Sequence, residues 1–159
     1  MKKMLAFLLT LTLLLTNLGA VLAETVSAPP ASQISVNPNY TSVEKYFPAV
    51  NNAKDFAIDY VRSGISKKSS SSISATAVTE TNTTASKIGG TIYVQQWKNN
   101  AWTNYTSRSF WAYDTARAST LKTISVETGY YYRLKVYHTA IGNPGLVQVV
   151  STTTSILVD

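Results

Sequence analysis

From residue 71 onward, apolar and polar positions alternate with a period of two, and Gly, Asn and Pro clusters interrupt them at short intervals. That period places every second side chain on one face of an extended strand, and the Thr, Val, Ile and Tyr content suits a pleated surface. The pattern predicts strands over 71–79, 90–98, 101–112, 118–127, 130–140 and 146–158. Residues 51–64 fit two templates. Ala53, Phe56, Ala57, Tyr60 and Val61 carry a helical spacing from an Asn52 cap to Gly64, whereas Phe56, Ile58 and Tyr60 alternate. A short helical turn followed by a first strand over 59–65 reconciles the two. Seven short strands in about 100 residues predict an all-β antiparallel sandwich of the immunoglobulin or fibronectin III kind.

Turn chemistry supports this layout. Asn99-Asn100 joins Lys98 to Ala101, and asparagine tolerates the positive φ of a two-residue hairpin turn, which sets Trp97 opposite Trp102. Glu127-Thr128-Gly129 leads into a strand in which Tyr132, Leu134 and Val136 share a face, with a tyrosine placed early, as in a tyrosine corner. Gly142-Asn143-Pro144-Gly145 marks the turn before the last strand.

The other long apolar run lies at the start. Lys2 and Lys3 precede a run from Leu5 to Leu15, and Val21-Leu22-Ala23 offers small residues at the −3 and −1 positions of a cleavage site, so 1–23 reads as a secretory signal peptide cut after Ala23. A retained membrane anchor is the competing reading, since the run approaches the roughly 20 residues that span a bilayer. Thr16-Asn17 and Gly19 interrupt it and favour cleavage. No cysteine offers a lipid attachment point, and the last residues show no wall-sorting pattern. Export then means release, with any surface retention noncovalent and no membrane contact after cleavage. Residues 24–58, with Pro29-Pro30 and Pro38, read as a flexible leader holding at most a short helix, and 59–159 as the folded domain.

Removing the first 23 of 159 residues leaves 136, and losing Lys2 and Lys3 lowers the net charge from +6 to +4. That length buries a core without disulfides, consistent with zero cysteines. The basic residues are dispersed, which argues against nucleic acid as a partner and leaves an anionic wall polymer or glycan as one.

Catalytic chemistry finds few residues. His138 is the sole histidine, so it would have to anchor any hydrolase triad, and a two-histidine metal site is impossible. Its position predicts a hydrogen-bonded or solvated residue at the sandwich rim. Asp114 and Glu127 are too sparse for a glycosidase pair, no phosphate loop follows a strand, and no cofactor is implied. Asn39, Asn82 and Asn104 each begin an Asn-x-Thr triplet that an Asn- and Thr-rich chain produces by chance.

Strand parity supplies the candidate site. If Ile92, Val94, Tyr132, Leu134 and Val136 face the core, then Tyr93, Gln95, Trp97, Trp102, Tyr131, Arg133 and Tyr137 face outward on neighbouring strands, with Asn104 and Lys135 beside them. Such aromatics stack on sugar rings or a partner's apolar surface, and the amides and Arg133 give directional hydrogen bonds. Two simpler outcomes compete: the same pairs only stabilise the sheet, or Gln96 and Thr103 face out and the tryptophans enter the core.

Gly90-Thr91-Ile92-Tyr93-Val94-Gln95-Gln96-Trp97, then Ala101-Trp102, then Gly129-Tyr130-Tyr131-Tyr132-Arg133 and His138-Thr139-Ala140 resemble a group of small secreted proteins of Gram-positive bacteria. The resemblance spans about residue 60 to the end. It implies an exported β domain and carries over no activity or site residue. The sequence therefore supports a secreted, non-catalytic binding module for a glycan, wall polymer or protein. A released, toxin-like effector acting on other cells is the alternative.

Overall fold

A computed structural model describes residues 27–47, 56–143 and 145–159. The expected signal peptide and its cleavage point lie outside the described residues, as does the proposed helix cap at Asn52. The described chain is all-β, with seven antiparallel strands in one curled, half-barrel sheet. They are β1 (Tyr40–Tyr46), β2 (Ile58–Ser69), β3 (Ser72–Lys98), β4 (Ala101–Ser125), β5 (Tyr130–Ile141), β6 (Leu146–Thr152) and β7 (Ile156–Val158). The hydrogen-bonded order is β1-β2-β3-β5-β6, with β4 on the other edge of β3 and β7 on β5.

The spine is the β3–β4 hairpin. Asn99 and Asn100 take φ of 53° and 59°, and Trp97 sits opposite Trp102 as the turn chemistry predicts. Four expected strands are here two, because 80–89 and 113–117, read as breaks, continue as strand. The β3–β4 register slips between Glu80 and Ala85. The least exposed positions are odd before the slip (Ile73, Ala75, Ala77, Thr79) and, from Ile88 onward, include the even row Ile88, Ile92, Val94 and Gln96. A phase change of this kind mimics a strand boundary in sequence, although β3 and β4 resume pairing on its far side.

That irregularity is also where the neighbour of β3 changes. β2 pairs with it up to Thr81, and β5 takes over from Lys87. Gly89 and Gly90 then pass between two close strands. A Cβ on Gly89 would lie 1.9 Å from the Phe110 carbonyl oxygen, and one on Gly90 would lie 2.2 Å from that of Tyr137. Only glycine allows this approach, which curls the sheet until β2 faces β5, β6 and β7 across the core.

Val61, Ile65, Ile92, Leu134, Val136 and Val158 fill that core with no exposed area. Each such side chain contributes about 1.5–3 kcal/mol through burial. The curl brings the two sheet edges together without backbone pairing: Thr41 hydrogen-bonds Thr154 at 2.7 Å, and the Lys45 ammonium donates to the Val150 carbonyl at 3.0 Å. β1 lies inside the span read from sequence as leader, paired with β2 along its whole length. The helical reading of 51–64 gives way to strand from Ile58 onward.

Candidate functional site

The outward residues of β3, β4 and β5 form one surface. Cross-strand register sets Thr91 beside Tyr137, Tyr93 beside Lys135, and Gln95 beside Arg133. On the other side Gln95 faces Asn104, and Thr91 hydrogen-bonds Ser109 at 3.1 Å. Polar bonds and ring contacts then join the residues. The Gln95 amide donates to Asn104 Oδ1 at 3.0 Å and accepts from Arg133 Nε at 2.9 Å. The Arg133 guanidinium lies 4.3 Å above the Trp102 ring, a cation–π distance. Its partial burial lowers its pKa, as expected when a cation loses hydration. Tyr93 and Tyr137 meet edge to face at 5.6 Å, and Lys135 Nζ lies 5.4 Å from the Tyr137 ring.

Two shallow depressions adjoin on this face and share Tyr93 and Tyr137. One, of about 190 Å³, is lined by these and by Gln95, Asn104 and Lys135. The other, of about 360 Å³, adds Thr91, Trp111, Thr139 and Gln148. Trp111 is 39% exposed, and the Lys87 ammonium sits 4.4 Å from its ring.

The structure thus brings together Tyr93, Gln95, Trp102, Arg133 and Tyr137. Trp97 meets Trp102 edge to face at 5.2 Å in the expected phase, yet it is only 9% exposed. Its cover is the chain's own N-terminal segment. Trp97 Nε1 donates to Ser27 Oγ at 3.3 Å, and Trp102 Nε1 donates to Gln33 Oε1 at 2.6 Å. A 3-10 turn at Ala31–Gln33 and a parallel bridge between Ile34 and Ser155 hold the segment there. Tyr131 stands apart from the cluster: its register partner is Leu157, and no ring contact or hydrogen bond among the described residues ties it to Arg133. Gln96 does not face outward in place of Trp97. Gln96 is buried, donating to Tyr132 Oη at 2.9 Å and to Glu127 Oε2 at 3.1 Å.

Trp111 went unrecognised in the sequence because β4 carries one extra residue, Tyr105, against β3 between Val94 and Gln95. The extra residue inverts the phase, so even positions point outward at Trp102 and Asn104 and odd ones at Ser109 and Trp111.

His138 corrects an expectation. It is fully buried in the centre of the curl rather than at a rim. The Nδ1 atom lies 2.8 Å from Thr79 Oγ1, whose hydroxyl donates to the Gly89 carbonyl at 3.0 Å. The Nε2 atom lies 2.9 Å from Ser151 Oγ and 3.1 Å from Ser63 Oγ, and these serines are 2.6 Å apart. One assignment satisfies this network: a neutral ring that donates from Nδ1 to Thr79 and accepts at Nε2 from a serine hydroxyl. Burial, helped by the Lys45 charge, pushes the imidazole from 6.5 down to about 4.

Asp114 and Glu127 form no pair: Asp114 takes a positive φ in β4, while Glu127 holds Gln96 beyond its end. No cluster of three or more His, Asp or Glu residues suited to a metal ion occurs among the described residues. No protein-family model, curated protein or solved structure matches the chain.

Proposed function

We propose that this chain is an exported, non-catalytic binding module that holds a cell-surface glycan or a protein partner on the outer face of β3, β4 and β5. One observation carries the reading: Tyr93, Tyr137 and Trp111 lie on one sheet face, bordered by amide, hydroxyl and cationic groups. Aromatic rings next to directional donors recognise sugars or mixed protein surfaces, and contiguous exposed aromatics mark interaction sites. The burial of His138 supports a non-catalytic role, since its ring touches hydroxyls of the core and no open surface. Export rests on the pattern of 1–23, and the two depressions give a released protein a means of noncovalent retention.

The scaffold behind the face is, in this proposal, a relative of the immunoglobulin-like sandwich. Two features support that kinship. β2 packs across the core from β5, β6 and β7, and Tyr132 Oη bonds both the carbonyl and the N–H of Glu127 at 3.0 Å, as a tyrosine corner does.

The test is retention of the protein on cell-wall preparations and an immobilised glycan panel, compared with a Tyr93→Ala/Tyr137→Ala variant. Loss of retention with an unchanged unfolding midpoint is expected. Equal retention of both proteins would remove this face from the function.

A further inference from the structure

On the reading that this face binds a ligand, we propose that the ligand is a glycan chain carrying carboxylate groups, with its rings against Tyr93 and Tyr137 and its charges met by Lys135 and Arg133. The argument begins with where the acids are. The ion pairs among the described residues are Glu44 with Arg62, Glu80 with Arg117, and Asp159 with Lys67. Each lies away from β5 and from the 91–97 stretch of β3. No Asp or Glu occupies an outward position of β3 from Thr91 to Trp97, of β5 from Tyr131 to Ile141, or of β4 at the positions paired with that stretch of β3. Lys135 and Arg133 are therefore positive groups whose neighbours are rings and amides.

Their spacing adds a second constraint. They are successive outward residues of one strand, hence about 7 Å apart, a row of charges along the strand rather than a cluster. A cluster would suit a multiply charged phosphate, whereas a row suits a polymer with one charge per unit. Asn104 uses its carbonyl oxygen toward Gln95, which leaves its amide N–H groups to donate to sugar hydroxyls. Thr91 and Thr139 add hydroxyls along the second depression. Lys135 and Arg133, even with Lys87 beside Trp111, are too few cations to displace the counterions of a nucleic acid. A neutral glycan would leave both charges unused.

The test is affinity electrophoresis of the purified full chain in gels cast with polygalacturonate or with neutral amylose, at low and moderate salt. Retardation by polygalacturonate alone is expected, weakened at least tenfold by Lys135→Glu and by the gentler Lys135→Gln. Lys122→Glu makes the same charge change on the far half of β4 and is expected to keep the retardation. Equal weakening by Lys122→Glu and Lys135→Glu would reduce the effect to general charge attraction and overturn the proposal. Equal retardation by both polymers would overturn the carboxylate preference and leave the binding face standing. Cell-surface retention that protease treatment of the surface abolishes would assign the face to a protein instead. Absence of retention on every glycan and surface would end the underlying reading as well.

Discussion

Two polar clusters sit five residues apart on β5, one on each face of the same ladder. Inside, His138 gathers Thr79, Ser63 and Ser151. Outside, Arg133 gathers Gln95 and Trp102, with Asn104 next in line. The inner cluster contains the residue types of a catalytic site and closes on itself, since its donors and acceptors are matched within the core. The outer cluster holds the plainer residues and leaves cationic charge and amide N–H groups facing solvent. On the proposed reading, availability separates a site from a strut, and residue chemistry alone does not.

This contrast can be broken from either side. The largest effect belongs to His138→Ala, which opens a cavity and strips partners from buried hydroxyls. It is expected to cost about 3 kcal/mol in chemical denaturation while the folded protein keeps its ligand retention. Loss of retention without loss of stability would reverse the roles of the two clusters.

Acid comes next. The fold holds the His138 imidazole at about 4, below its ordinary 6.5, so the native state favours the neutral form. Stability from this group is complete above pH 6.5 and declines as pH falls toward 4, by up to about 1.4 kcal/mol per unit. Denaturation midpoints measured across that range trace the slope. Its disappearance in His138→Ala separates it from Asp159, whose carboxyl is held below the usual range by its hydrogen bond to Lys67 and that residue's charge.

Arg133→Ala removes one cation–π contact and one hydrogen bond at a partly open site. A stability loss near 1 kcal/mol is expected, with most ligand retention gone. The smallest effect is expected from Tyr131→Ala: under about 1 kcal/mol, and unchanged retention. A strong loss of binding there would extend the face toward β7.

The hairpin at Asn99-Asn100, the opposed tryptophans, the inward phase of Tyr132, Leu134 and Val136, and the rows through Tyr93 and Gln95 were legible because each depends on neighbours in sequence or on a period of two. What escaped depends on partners elsewhere. The polar run after Thr79 looked like a loop, yet it carries β3 past the point where β2 hands over to β5. Trp111 was hidden by the one-residue phase change at Tyr105, and His138 by hydroxyls drawn from β2, β3 and β6. β1 is mostly polar because it lies at the sheet edge, so its pairing with β2 leaves little trace in hydrophobicity.

The N-terminal segment gives two indoles an additional meaning. Of the three tryptophans, Trp97 and Trp102 donate to Ser27 and Gln33, while Trp111 stands on the open face. Their emission is thus an optical gauge of whether residues 27–33 are docked. Undocking would hydrate two rings at once and shift the spectrum to the red, whereas a ligand drawn to Arg133 would act on Trp102 alone, through the guanidinium over its ring. Docking of residues 27–33 therefore has a spectroscopic address of its own at Trp97.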